Sequence, residues 1–235
     1  MISQAIRYLA VNSITYTDMI EPIRRGTAEV LSANENGVLM LETNSGIYMI
    51  AADTSEDGVR LLSLVKNPEL MSIHRRDTAN EAMRRYGMAV TMECYTAVWT
   101  DQLPPAAPFS AFDICELKAE HVQFVTDLYR HPSIASGYIE GRIAAGEMVG
   151  AFSDNDMAGF IGLHEEGSMG MLEVAGKFRR QGVATCLISY LCAWLMMRGR
   201  TPFSQFTTDN SPSRSLHEHM GFEISIDPVY WLEKR

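Results

Sequence analysis

Apolar positions in this chain fall into short alternating runs separated by turn residues, with a few longer blocks at helical spacing. Residues 27 to 52 read as two or three strands, TAEVLSAN, GVLMLE and GIYMIAA, broken at Asn34 to Gly37 and at Asn44-Ser45-Gly46. A polar turn from Asp53 to Gly58 leads into a short helix predicted over 59–66, which Asn67-Pro68 ends because proline cannot continue it. Leu70 to His74 reads as a short strand, Asp77 to Tyr86 as a helix stopped by Gly87, and Met88 to Thr100 as a longer alternating strand. The run Leu103-Pro104-Pro105-Ala106-Ala107-Pro108 is the clearest boundary, dividing residues 1–105 from 106–235.

Beyond that boundary the pattern predicts a strand start over Phe109 to Glu116 and a helix over Lys118 to Tyr129, closed by His131-Pro132. Residues 133–146 fit a helix or a loop. Met148 to Ser153 and Met157 to His164 form a hairpin across Asp154-Asn155-Asp156. A strand from Met169 to Val174 then passes through a basic glycine loop into an apolar helix, Val183 to Met197, with Gly199 as its stop. Residues 202–208 read as a strand. A helix follows to Met220 with Ser211 as N-cap and Pro212 in its first turn, and 222–226 and 229–232 close the chain as strands. DTANEAMRRYGMAVTMECYTAVW and NSPSRSLHEHMGFEISIDPVYWL share a polar cap, a short helix, a glycine followed by a large apolar residue, and a strand. The expected class is α+β, in two related mixed halves.

Composition narrows the partners. The chain carries 20 basic and 29 acidic residues for a formal net charge of -9, spread over both halves, so a nucleic-acid or anionic-membrane partner is not expected. No secretory signal opens the sequence, and the longest apolar run falls short of the roughly 20 residues a bilayer span needs. Cys94, Cys115, Cys186 and Cys192 show neither a C-x-x-C pair nor a disulfide framework, which suits a reducing cytoplasm. His164 and His219 have no metal-ligand spacing, and no metal is expected.

Against this acidic background, the cluster Lys177, Arg179 and Arg180 around Gly182 stands out. A strand–loop–helix junction leaves the first helical N–H groups unpaired beside the positive end of the helix dipole, which suits an anion. Neither G-x-x-x-x-G-K-[ST] nor G-x-G-x-x-G occurs. The pattern present is R-x-x-G-x-A, from Arg179 to Ala184, with small residues at 182 and 184 that let a pyrophosphate approach the backbone.

Residues 148–232 resemble the GNAT superfamily of CoA-dependent N-acyltransferases, and LEVAGKFRRQGVATCLISYLCAWL followed by TPFSQFTTDNSPSRSLHEHMGF is most similar to its glycine N-acyltransferase-like branch. A strand ending at Val174, the R-x-x-G-x-A loop, Asn210 after the next strand, and a helix finishing in Gly221-Phe222 match in order, while the family's usual proline is Gly176 here. The resemblance implies a central, mostly antiparallel mixed sheet flanked by helices, with a degenerate first half. It implies acetyl-CoA as co-substrate, its pyrophosphate on the N–H groups of Gln181, Gly182, Val183, Ala184 and Thr185, flanked by Arg179 and Arg180. The pantetheine arm would run along Leu172 to Val174, with Asn210 and Ser213 beyond the second strand and the Val174 N–H polarising the acyl carbonyl.

Direct transfer to a primary amine of a small molecule or amino acid needs a proton acceptor for the amine and tolerates a proton donor for the thiolate. Glu173, interrupting an apolar strand, is the candidate base, or else an outward-facing glutamate; a bulge in that strand would decide its direction. His217 stands where the family often has a tyrosine, and is the candidate acid or a packing residue. A non-catalytic acyl-CoA-binding or regulatory protein is the competing class, and a homodimer is left open.

Overall fold

The computed structural model describes residues 1–107, 112–129 and 137–234. The expected strand start at 109–111, the His131-Pro132 stop and residues 133–136 lie outside the described residues. The described chain forms one twelve-stranded, mostly antiparallel mixed sheet flanked by helices. Its strands are β1 (Ala28–Asn34), β2 (Gly37–Glu42), β3 (Ile47–Ala52), β4 (Leu70–Ile73), β5 (Met88–Val98), β6 (Asp113–Glu116), β7 (Met148–Ser153), β8 (Asp156–Leu163), β9 (Met169–Val174), β10 (Phe203–Thr207), β11 (Glu223–Ile224) and β12 (Val229–Lys234). Their order is β1-β2-β3-β4-β12-β5-β10-β9-β8-β7-β6, with β11 also on β5.

The helices are α1 (Ile2–Leu9), α2 (Thr17–Arg25), α3 (Ser55–Leu62), α4 (Arg76–Tyr86), α5 (Val122–Leu128), α6 (Tyr138–Ala144), α7 (Val183–Met196) and α8 (Ser211–Met220). The hydrophobic pattern marks neither α1 nor α2, although Ala5 and Leu9 pack with Met19, Ile20 and Ile23 in one buried cluster. Neither helix begins with a side-chain cap, so the usual start signal is missing. The helix expected over 59–66 begins at Ser55 instead. Thr54 caps it, accepting from the Asp57 N–H at 3.2 Å, and Gly58, which looked like a turn, lies inside it. A Cβ at Gly58 would overlap the Thr78 side chain, so glycine there permits close packing of α3 on α4. The open segment 133–146 is helical from Tyr138.

The two sides of the proline boundary share strands. β12, the last element, lies between β4 and β5, pairing Trp231 with Ser72 and with Met92. β5 in turn pairs with β10, from Val98 opposite Phe203 to Cys94 opposite Thr207. The order β3-α3-β4-α4-β5 recurs as β9-α7-β10-α8 followed by β11 and β12, and each series contains a parallel pair, β3 with β4 and β9 with β10.

A buried polar network ties α2 to the centre of the sheet. The Asp18 carboxylate lies 3.1 Å from His74 Nε2 and accepts from Ser72 Oγ and Gln205 Nε2 at 3.3 Å, while Gln205 Oε1 accepts from Trp231 Nε1 at 2.8 Å. Asp18 and Ser72 are fully buried, so these contacts replace water that neither group can reach.

Candidate functional site

The site is built where β9 and β10 part. They pair at a single position, Met169 opposite Ser204, and then diverge toward Val174 and Thr207. A wedge therefore opens between them toward the start of α7.

β9 is bulged. Phe160 pairs with Glu173 and Gly162 with Gly170, so Met171 and Leu172 together oppose Ile161, and Met171 takes a left-handed φ of 53°. The bulge resets which side chain faces which way. Met169, Leu172 and Val174 pack into the core under α7, whereas Met171 packs with Val125, Ile139 and Ile143 of α5 and α6 on the other face. Glu173, next in alternation after Leu172, takes the α5/α6 side and is half-buried. The backbone is equally directed: the Ala175 N–H donates to Ala158 on β8 at 2.9 Å, so the preceding Val174 N–H turns toward the wedge.

Burial pushes the Glu173 carboxyl above the ordinary glutamate range, opposed by the Arg179 charge and the Val174 N–H. Tyr129, at the end of α5, has its phenol pushed up to about 12 by burial, with the Glu173 charge adding to it. No motif in the sequence marks Tyr129 as a neighbour of Glu173. The fold alone brings the C-terminal end of α5 to that strand.

The loop after β9 is held by its own basic residues. Lys177 Nζ bonds Asp156 at 2.5 Å, Gln181 Nε2 donates to the Lys177 carbonyl at 2.9 Å, and Arg179 Nε donates to the Val174 carbonyl at 3.2 Å. Arg180 and Gly182 both have left-handed φ, at 64° and 83°. Gly182 is the N-cap of α7; no side chain caps that helix, and no acidic residue lies in its first turn. Val183 is buried beneath the helix, and Ala184 and Thr185 are partly exposed. The equivalent helix of the other series, α3, is instead capped by Thr54 and carries Glu56 and Asp57 in its first turn.

Beyond β10, Asn210 rather than Ser211 is the N-cap of α8, its side-chain oxygen accepting from the Ser213 N–H at 3.0 Å. The extra residue before Pro212 gives the cap its reach. Asn210 is exposed and Ser213 partly so.

His217, the candidate acid or packing residue, is buried. Its Nδ1 lies 2.8 Å from the Ser213 carbonyl, so the ring proton is spent there and Nε2 is left as an acceptor without a partner. The ring is buried between Phe206 and Phe222, with centroids at 5.4 and 4.9 Å, and burial lowers its pKa despite the Ser213 bond. Burial disfavours the charged ring, and its Nδ1 proton is engaged by Ser213. Three of the cysteines are also poor nucleophiles: burial raises Cys192 and Cys94 to about 12, and Cys186 is buried, whereas Cys115 is exposed. Among the described residues no group of three His, Cys, Asp or Glu could hold a metal ion, and no helix is long and apolar enough to cross a membrane.

Residues 148–232 match the family described as FR47-like protein. No curated protein matches the chain by sequence. Among solved structures, a Drosophila protein superposes with a TM-score of 0.68 at 16% identity, covering 99% of this chain and 87% of that one. A putative acetyltransferase of the GNAT family from Novosphingobium aromaticivorans gives 0.54 at 17% identity, covering 94% and 97%. A GCN5-related N-acetyltransferase from Sphaerobacter thermophilus gives 0.55 at 15%, covering 100% and 93%. The fold is that of the GNAT acetyltransferases.

Proposed function

We propose that this chain is an acetyl-CoA-dependent N-acetyltransferase that acetylates a primary amine of a small molecule or amino acid by direct attack, within the glycine N-acyltransferase-like branch. The observation that carries this reading is the β9/β10 wedge opening beside the uncapped start of α7. In it the CoA pyrophosphate would sit on the amides from Gln181 to Thr185, where the helix dipole favours negative charge, with Arg180 beside it. Arg179 would contribute less as a direct phosphate ligand, since it already braces the end of β9. Pantetheine would fill the wedge as an extra strand along Leu172 to Val174, and Asn210 and Ser213 would meet its far side.

The residues then supply the chemistry in order. The Val174 N–H, which also lies against the Glu173 carboxyl, would turn to stabilise the oxyanion as the amine nitrogen bonds to the acyl carbon. Glu173, its basicity raised by burial, would take a proton from the amine nitrogen as it bonds to the acyl carbon, directly or through a water. The C–S bond then breaks and CoA leaves as thiolate; a thiol pKa near 8.5 makes that tolerable without an acid. No covalent acyl-enzyme is needed. Residues 1–105 would form a degenerate GNAT-like half and 106–235 the catalytic half.

The reading is tested by free-thiol release from acetyl-CoA over a panel of amines and amino acids, together with melting of the protein with and without acetyl-CoA. Ligand at about 100 times its dissociation constant adds roughly 2.7 kcal/mol. No melting shift at saturating acetyl-CoA would sink the reading. A shift without thiol release for any amine would favour a non-catalytic acyl-CoA-binding protein, a role to which the buried His217, its Nδ1 proton engaged by Ser213, is no obstacle.

A further inference from the structure

A second site lies at the other end of β9. Met169, where the wedge is closed, lies five positions before Val174, where it opens, which at about 3.3 Å per step is about 17 Å. Past the closed end is a cavity of about 230 Å³ walled by the end of α2 (Arg25), α6 (Arg142), the β8–β9 turn (Glu165), the residue after α7 and its turn (Arg200), Glu147 and the β2–β3 turn (Asn44). It thus draws on residues from both sides of the proline boundary. Ligand pockets for drug-sized molecules usually start near 300 Å³ and are mostly apolar. This cavity is smaller and its walls are polar and charged, which points to a small charged ligand.

Its charges are incompletely matched. Arg25 Nη2 donates to Thr27 Oγ1 at 2.9 Å and to the Glu165 carbonyl at 3.1 Å, and lies 3.6 Å from Glu42 Oε1; Arg200 Nη2 donates to the Gly167 carbonyl at 3.3 Å. The Nε groups of Arg25 and Arg200 are both buried and lack any acceptor. The two guanidinium groups converge on Gly167, where an added Cβ would lie 2.6 Å from Arg25 Nη1 and 2.9 Å from Arg200 Nη2. Desolvation, followed by the charge of Arg25, lowers the Arg200 pKa, against the opposing charges of Glu147 and Glu21. On another wall, Glu147 Oε2 is buried without a hydrogen bond, 4.0 Å from Arg142 Nη2. Two buried N–H donors on neighbouring cations lack an acceptor, and two buried carboxylate oxygens, on Glu147 and on Glu42 beside Arg25, lack a donor.

We propose that this cavity binds a small zwitterionic α-amino acid, its carboxylate bridging Arg25 and Arg200 and its ammonium on Glu147. A bound ligand would join α2 to α6 and so clamp the two parts of the chain together, apart from the place where acetyl transfer would occur.

The full chain, without acyl-CoA, is melted in the presence of glycine, L-alanine or L-serine up to about 50 mM, with acetate and methylammonium as single-charge controls at equal ionic strength. At least one amino acid should raise the melting temperature by several degrees and the controls should not. Arg200→Met should abolish the shift. The near-isosteric Glu147→Gln, which decides the matter if Arg200→Met does not fold, should reduce the amino-acid response to that of acetate. Glu173→Gln should leave the shift intact, so failure here is distinct from failure of the acetyl-transfer reading. The proposal is overturned if no amino acid exceeds the controls, if Glu147→Gln responds as fully as the native chain, or if the shift survives Arg200→Met and disappears in Glu173→Gln.

Discussion

Gly182 offers the sharpest test of the CoA site because its backbone demand can be matched elsewhere in the same molecule. Gly182 caps α7 at φ 83°, and Gly87 ends α4 at φ 68° with open space where a Cβ would go. Each should lose about 1–2 kcal/mol on substitution by alanine, since an L side chain is strained in the left-handed region. For a chain of this size that is a fall of roughly 2–8 °C in melting temperature. Only at Gly182 can the strain be relieved by rotating the peptides that would hold the pyrophosphate. Losing two helix-terminus contacts at about 0.3–2 kcal/mol each weakens binding by roughly threefold to several hundredfold. Gly182→Glu adds a like charge, giving α7 the acidic first turn that α3 already has, and should abolish binding. Calorimetric titration with CoA and acetyl-CoA of Gly182→Ala, Gly182→Glu and Gly87→Ala separates strain from site. Near-native affinity in Gly182→Glu would refute the assignment.

Glu173→Gln should lower turnover by about 10²–10⁴ while sparing acetyl-CoA binding. Because burial raises its pKa, the base form is lost as pH falls through that raised value, so the acid limb of kcat/KM should lie above the ordinary glutamate value near 4.3; a limb at or below it, or unchanged turnover in the variant, removes Glu173 as base. His217→Phe should keep turnover within about an order of magnitude, since burial disfavours the charged ring and its Nδ1 proton is engaged by Ser213; a loss beyond a thousandfold would restore it as the acid. Leu232→Ala, at a fully buried position on β12, should cost about 2–5 kcal/mol and leave a single cooperative transition, because β12 joins β4 to β5; two separated transitions in calorimetry would show independent halves.

What the sequence disclosed was local. Alternation marked most strands, glycine stops at 87 and 221 fell where left-handed caps occur, and the Arg179 to Ala184 pattern placed the loop at the start of α7. What it withheld depends on partners distant in the chain. β12 reads like any closing strand, and nothing in VYWLEK says that it pairs with Ser72 and Met92. The direction of Glu173 needed the bulge at Met171, a non-glycine residue with positive φ that no residue preference foretells. The environment of His217 depends on two rings and a carbonyl at contact distance. Arg25 and Arg200, far apart in sequence, share a cavity only because α2 and the α7–β10 turn are folded to the same edge.

The two parallel crossovers differ in the features that the proposed anion site needs. In the first, β3 and β4 stay paired through Tyr48–Met71, Met49–Ser72 and Ile50–Ile73, and His74 N–H extends the ladder to the Ile50 carbonyl at 3.0 Å. No gap remains for a ligand strand there. In the second, pairing stops after Met169–Ser204 and the bulge turns β9 away. The helix starts follow the same division, with α3 satisfied by Thr54 and its own carboxylates and α7 left uncapped. An open helix start is costly unless something fills it, and an open parallel pair leaves backbone groups without partners. Both deficits meet in one place. A single ligand with an anionic end and an amide-bearing arm would offset both, which is why stripping the acidic turn from α3 would not by itself make another such site: its strands would still be zipped.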